Sequence, residues 1–145
     1  MVHDLYQEII LDHSKHPRNR HAMAEASREA VGYNPLCGDK LKLFLKMDGD
    51  KVVDASFEGS GCAISTASAS LMTETLKGKT RQEALEMLEK FHELLTTDTP
   101  VRQELGKLVV FCGVRDYPAR VKCATLAWHT LKSALSGTGE VTSTE

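Results

Sequence analysis

Apolar and polar residues alternate along the middle of the chain with the two-residue period of a β-strand. The alternation stops at the turn sequence Asp48-Gly49-Asp50 and then resumes, so the two runs are candidates for paired strands. Their apolar positions are Leu41, Leu43, Leu45 and Met47 before the turn, and Val53, Ala55 and Phe57 after it. The pattern predicts a β-hairpin with one buried face, and residues 29–34 are a weaker candidate for a third strand.

Four other segments have the spacing or composition of helices. The first ends before Pro17, because proline disfavours helical geometry in the preceding residue. The third has Thr80 and Glu83 at the spacing of a capping box. The predicted helices cover residues 3–14, 62–77, 80–95 and about 122–135. The sequence therefore predicts an α+β fold in which a small antiparallel three-stranded sheet packs against helices.

Length and composition are those of one globular domain. The chain has 145 residues, of which 41% are hydrophobic, and we expect residues 1–145 to form a single domain with a mobile tail at 136–145. The net charge of -2 removes the main electrostatic reason to expect nucleic-acid binding. The sequence has neither a secretory signal nor a run of about 20 apolar residues, so we expect a cytoplasmic location and no membrane association.

Cysteine placement is the most informative chemical feature. Four cysteines in a reducing compartment favour metal binding, catalysis or burial over a disulfide framework. Cys37 lies in a predicted turn, while Cys62 and Cys123 are each predicted to open a helix, where the dipole favours ionisation of a thiol. Arg120 and Lys122 add positive charge next to Cys123 in the sequence.

Two interpretations of these cysteines remain open at this point. Three thiolates and the carboxylate of Asp39 are the four ligands that a tetrahedral zinc site needs, and thiolate-rich surroundings also suit iron–sulfur clusters. The spacing is not a standard zinc signature, so Cys37, Cys62 and Cys123 could instead be separate thiols, some of them buried. Cys112 lies in an apolar run and is predicted to be a small buried side chain outside the site.

Four motifs, in order along nearly the whole chain, resemble the U-type iron–sulfur assembly proteins, the family of IscU, SufU and the N-terminal domain of NifU. The motifs are Leu11-Asp12-His13 with Pro17-Arg18-Asn19, Asn34-Pro35-Leu36-Cys37-Gly38-Asp39, Phe57-Glu58-Gly59-Ser60-Gly61-Cys62-Ala63-Ile64-Ser65 and Val121-Lys122-Cys123-Ala124. The resemblance implies the same α+β fold, a zinc site of Cys37, Asp39, Cys62 and Cys123, and a cysteine desulfurase as partner. It also implies apoproteins or carriers as recipients.

One departure from the family pattern separates its branches. IscU-type scaffolds have a histidine immediately before the last cysteine, whereas this chain has Lys122, whose ammonium group has no lone pair for a metal. This residue and the segment from Leu95 to Arg120 resemble the SufU branch.

The resemblance leads to two hypotheses. In the first, Cys37 accepts persulfide sulfur from a cysteine desulfurase in a sulfurtransferase-like role. In the second, the chain is a scaffold for a transient [2Fe-2S] or [4Fe-4S] cluster held by Cys37, Cys62 and Cys123. A structural zinc module is a third, unrelated reading. We expect a monomer or a weak homo-oligomer.

Overall fold

The computed structural model describes residues 2–35, 38–96, 106–108, 111, 114, 117–136 and 142–143. Its elements, in chain order, are α1 (Val2–Lys15), β1 (Arg28–Asn34), β2 (Asp39–Asp48), β3 (Lys51–Ser60), α2 (Ala63–Leu76), α3 (Arg81–Thr96), α4 (Pro118–Ser136) and β4 (Thr142–Ser143). The predicted α+β fold is confirmed. Of the described helices, none combines the length and the apolar character needed to cross a bilayer.

The sheet has the order β3-β2-β1-β4, with the predicted antiparallel pairs β1–β2 and β2–β3. Strand β4 is an addition, since Thr142 and Ser143 pair in parallel with Gly32 and Tyr33 of β1. Within the segment 136–145, Ser136 ends α4 and two later residues join the sheet edge, and the mobility of this segment stays a prediction. Backbone pairing of this kind depends on an available strand edge and leaves little trace in the side-chain pattern.

The sheet buries one face against the helices. Leu41, Leu43 and Leu45 of β2 are nearly or fully inaccessible and belong to the same core as Leu126 and Leu131 of α4. Helix α4 crosses β1 so closely that a Cβ atom added at Gly32 would lie only 2.0 Å from Thr130 Oγ1. This approach brings the first turns of α4 over the end of β1.

Helix α2 is buried through small side chains, as its Ala, Ser and Thr content predicts. The hydroxyl of Ser68 donates a hydrogen bond to the carbonyl of Ala124 at 2.6 Å and accepts one from Trp128 Nε1 at 3.2 Å. The Trp128 ring stacks on Phe91 with 4.6 Å between ring centroids. The Ser68 hydroxyl therefore joins α2 to α4, and the stacked rings join α3 to α4.

The Pro17-Arg18-Asn19 motif anchors α1 to the rest of the fold. Nδ1 of the buried His13 lies 2.7 Å from Ser70 Oγ, and the same hydroxyl accepts the backbone N–H of Arg18 at 2.8 Å. Asn19 adopts a φ of 62°, a conformation that asparagine tolerates better than most residues, and its carbonyl accepts the backbone N–H of Phe57 at 2.9 Å. The motif connects α1, α2 and β3.

The predicted capping box is confirmed, whereas the predicted start of α4 is wrong. Glu83 Oε1 accepts the N–H of Thr80 at 3.0 Å and Thr80 Oγ1 accepts the N–H of Glu83 at 3.2 Å. Hydrogen bonds that the Glu83 carboxylate accepts from the backbone N–H and the side chain of Thr80 lower the pKa of that carboxyl group. Helix α4 begins at Pro118 and not near Lys122. Proline suits a first helical residue, because its φ is already helical and its missing N–H would have no partner there.

Candidate metal site

Three of the four predicted ligands lie together at one end of the sheet. One carboxylate oxygen of Asp39 and the sulfur atoms of Cys62 and Cys123 all lie within 4.8 Å of one another. They come from the first residue of β2, the residue before α2 and the second turn of α4. Distant parts of the chain therefore converge on one point.

Asp39 is placed by the pairing of β1 with β2 and is fully buried. Its Oδ1 accepts the backbone N–H of Cys62 at 2.8 Å, and its Oδ2 lies 3.9 Å from Cys62 Sγ. In the described part of the chain, no lysine, arginine or histidine forms an ion pair with this carboxylate. Burial of a carboxylate is unfavourable unless it is hydrogen-bonded or near a positive charge, and a metal ion bound here would supply that charge.

Cys62 is the N-cap of α2, as the sequence predicts. Its sulfur accepts the backbone N–H of Ser65 at 3.4 Å, and its side chain is exposed. The preceding Gly61 allows the close approach, because a Cβ there would lie 2.7 Å from Asp39 Oδ1. The sulfur lies at the positive end of the α2 dipole, and its exposure makes it accessible from solvent.

Cys123 differs from the prediction. It lies five residues after Pro118, in the second turn of α4, and is only 3% exposed. The effect of the helix dipole falls off within the first turn, so Cys123 lies outside the part of α4 where the dipole favours a negative charge. The Cys123 sulfur has a polar partner in Asn34, whose Nδ2 lies 3.6 Å from Cys123 Sγ.

The two cations predicted near Cys123 lie in different environments. The guanidinium of Arg120 lies over the ring of Tyr117, with 4.6 Å from Cζ to the ring centroid, and both residues are exposed. Arg120 therefore makes a cation–π contact at the surface. Lys122 is half-buried beside Cys123 in the sequence.

The two remaining cysteines, Cys37 and Cys112, lie outside the described residues. Cys37 belongs to the connection 35–38 between β1 and β2. The residues on either side of this connection, Asn34 and Asp39, both belong to the site. The place of Cys37 in the ligand set stays a prediction.

Sequence reasoning assigned no role to Asn34. The residue is fully buried, and its Nδ2 lies 3.5 Å from Asp39 Oδ2 as well as 3.6 Å from Cys123 Sγ. The signal that could have found it is alternation along β1, because Ala30, Gly32 and Asn34 share the inward face. A polar residue that continues an inward apolar series at the end of a strand indicates a special contact.

The donor set fits zinc. Zinc accepts thiolate and carboxylate ligands at about 2.0–2.3 Å in tetrahedral geometry, which places neighbouring donors roughly 3.5–3.8 Å apart. Donors that already lie within 4.8 Å of one another need to close by at most about 1.3 Å. A zinc ion there would be held by Asp39, Cys62 and Cys123, and the fourth position would remain for one further ligand.

Comparison with known proteins gives the same identification. The family model for the NifU-like N terminal domain matches residues 5–136. The zinc-dependent sulfurtransferase SufU of Bacillus subtilis is 42% identical over 133 residues, which is 91% of this chain and 90% of that protein. The iron-sulfur cluster assembly scaffold protein IscU of Streptococcus pyogenes is 41% identical over 135 residues, 92% of this chain and 84% of that protein.

A solved structure agrees with both. It is described as a candidate iron-sulfur cluster assembly scaffold protein for the SUF system and comes from the thermophile Fervidobacterium islandicum AW-1. The two chains superimpose with a TM-score of 0.84 at 42% identity, over 92% of this chain and 98% of that one. This chain therefore belongs to the family of NifU-like N-terminal domains.

Proposed function

We propose that this protein works in iron–sulfur cluster assembly as a zinc-binding sulfur acceptor. The observation that carries the proposal is the convergence of Asp39, Cys62 and Cys123 within 4.8 Å, next to the connection that contains Cys37. The proposed ligands are Cys37, Asp39, Cys62 and Cys123, and Cys37 is the proposed acceptor. The proposed partner is a cysteine desulfurase, and the reducing cytoplasm is the proposed compartment.

The reaction that we propose is a thiol–persulfide exchange. The thiolate of Cys37 attacks the terminal sulfur of a persulfide on the desulfurase cysteine, a new S–S bond forms at Cys37, and the desulfurase cysteine leaves as a thiolate. The exchange is balanced without an external oxidant or reductant, because one S–S bond replaces another. Bound zinc would keep the cysteines deprotonated near neutral pH.

The described residues support distinct roles in this reaction. Asp39 accepts the N–H of Cys62 and so holds the start of α2 against β2. Exposed Cys62 keeps one side of the site open to solvent, whereas buried Cys123 closes the other. An open side agrees better with exchange of sulfur between proteins than with the saturated, enclosed ligands of a purely structural zinc module.

Three features favour the acceptor function over the scaffold function. Lys122 stands where IscU-type scaffolds have a histidine, and a lysine cation offers no lone pair to a cluster iron. The proposed donor set has three thiolates and one carboxylate, whereas iron–sulfur clusters are usually held by four cysteines. The SufU relative, at 42% identity, is itself named a zinc-dependent sulfurtransferase.

The second candidate is a scaffold that builds a transient [2Fe-2S] or [4Fe-4S] cluster and passes it to apoproteins. Its specific support is that two cysteine sulfurs and a carboxylate share one partly exposed site, together with relatives that are named scaffold proteins. In this function Cys37, Cys62 and Cys123 would bind iron.

One experiment separates the two candidates. The zinc-loaded protein is mixed with a cysteine desulfurase and cysteine, and persulfide is located by mass spectrometry of the wild type, Cys37→Ser and Cys112→Ser. We expect persulfide on the peptide containing Cys37 in the wild type and in Cys112→Ser, and none at that peptide in Cys37→Ser. A wild type that takes up no sulfur yet retains a reconstituted cluster would favour the scaffold.

A further inference from the structure

Asn34 lies between two of the proposed ligands, and its side-chain nitrogen faces both of them. It is the last residue of β1 and pairs directly with Asp39, so both side chains project from the same face of the sheet. Both residues are fully buried. Helix α4 crosses this face and brings Cys123 within 3.6 Å of the Asn34 amide nitrogen.

The chemistry of the neighbours determines which end of the amide faces them. Asp39 Oδ2 and a Cys123 thiolate are both acceptors, and the –NH₂ group of asparagine has two hydrogens to donate. The distances of 3.5 Å to the oxygen and 3.6 Å to the larger sulfur atom allow one hydrogen for each. The reverse orientation would place the carbonyl oxygen against two acceptors, which is repulsive.

The other end of the same amide shows that this orientation has a cost. Oδ1 of Asn34 is buried and has no hydrogen-bond partner among the described residues. An apolar side chain would avoid this penalty at a position that continues the inward series of β1. Donation to two anionic groups is a stronger interaction than donation to neutral ones, and it offsets the unpaired acceptor.

We propose that Asn34 is a positioning residue of the metal site, which orients Asp39 and Cys123 and offsets part of their negative charge through Nδ2. The inference rests on the zinc-binding function proposed above. Three thiolates and a carboxylate around a divalent ion leave an excess of negative charge in a partly buried site. Groups that donate hydrogen bonds to ligands from outside the metal shell commonly change metal affinity by about 10–100-fold.

The deciding variant is Asn34→Leu, which keeps the branched shape and has no donor, and Asn34→Ala is a second variant in case the larger leucine side chain prevents folding. The matched control is Ser68→Ala, which removes two hydrogen bonds between α2 and α4 at a fully buried position without touching a ligand. The measurements are the zinc dissociation constant, by competition with a chromophoric chelator, and the melting temperature of the zinc-free protein. The absorption of the Co²⁺-substituted protein is a third readout.

We expect both Asn34 variants to bind zinc about 10–100-fold more weakly than the wild type and to shift the thiolate-to-cobalt charge-transfer band. Ser68→Ala should lower the melting temperature and leave the zinc dissociation constant near the wild-type value. Asn34 variants that lower only the melting temperature would show a structural role and overturn the inference. An equal loss of zinc in Ser68→Ala would overturn it too, because general loosening would then explain the effect. A wild type that binds no zinc would instead remove the proposed function, and the inference with it.

Discussion

Asp39 Oδ1 accepts the backbone N–H of Cys62 at 2.8 Å, so the carboxylate that we propose as a zinc ligand also fixes the start of helix α2. The two oxygens of one side chain thus have different tasks. Oδ1 satisfies an N–H at the helix start, and Oδ2 faces the sulfur of Cys62 at 3.9 Å. Substitutions that keep one oxygen and remove the charge can separate these tasks.

Asp39→Asn and Asp39→Ala should have different effects on stability and similar effects on sulfur transfer. Asn keeps an acceptor for the N–H of Cys62, whereas Ala leaves that group unpaired, so only Ala should lower the free energy of unfolding of the zinc-free protein, by about 1–3 kcal/mol. Both variants should still bind zinc through the thiolates, with altered zinc exchange and slower sulfur acceptance. Urea unfolding and a desulfurase-coupled persulfide assay measure these effects. Wild-type sulfur acceptance by Asp39→Ala would contradict a role for the carboxylate.

The purified protein should contain about one zinc ion per chain, since one tetrahedral site needs four ligands. Cys37→Ser, Cys62→Ser and Cys123→Ser should each lose zinc, because serine is a poor substitute for a thiolate at a zinc site. The matched control is Cys112→Ser, which should keep its zinc. Metal analysis after gel filtration measures the content. Equal zinc in all four variants would show that the cysteines do not share a site.

Lys122→His should improve the retention of an iron–sulfur cluster and weaken the transfer of sulfur. The new imidazole adds a lone-pair donor beside Cys123 and should increase retention of a reconstituted cluster. Loss of a fixed positive charge should weaken the handling of a persulfide anion. Cluster absorbance after anaerobic reconstitution and desulfurase stimulation by the zinc protein are measured on the wild type and the variant. If the wild type ignores the desulfurase but holds a stable cluster, and the variant changes neither result, the scaffold function replaces the acceptor function.

Burial of His13 should make stability depend on pH. Burial lowers the pKa of this imidazole from its ordinary value of 6.5, and the Arg18 cation lowers it further. As the pH falls, His13 therefore binds a proton in the unfolded chain at a higher pH than in the folded chain. The contribution of His13 to the free energy of unfolding should be fully present above pH 6.5. Below that pH it should fall, by up to roughly 1.4 kcal/mol per pH unit, until the pKa of His13 in the folded protein is reached.

The test compares urea unfolding of the zinc-free wild type and His13→Gln between pH 7.5 and 5.5. Glutamine can still hydrogen-bond Ser70 but does not titrate, so the variant should have a flatter pH dependence. The pKa of His129 is also lowered by burial, and this residue contributes equally to both proteins. The same slope in the wild type and the variant would contradict the contribution of His13.

Local chemistry in the sequence was enough to predict much of the architecture. Alternation around Asp48-Gly49-Asp50 predicted the β2–β3 hairpin, and Thr80 with Glu83 predicted the start of α3. The glycines before Cys62 predicted a helix that begins at this thiol. Each of these features depends on residues within a few positions of one another, so the sequence contains the whole physical cause.

Tertiary packing decided which side chains meet at the site and in what environment. Because α4 starts at Pro118, Cys123 lies buried in its second turn and not at the helix end that the sequence predicted. The contact of Asn34 with Asp39 and Cys123 requires a strand pairing and a helix crossing at the same time. The sequence by itself thus determined the local elements and, through its motifs, the family. Only the tertiary structure decided that the buried amide of Asn34 lies next to the proposed ligands, because this arrangement depends on contacts between residues up to 89 positions apart.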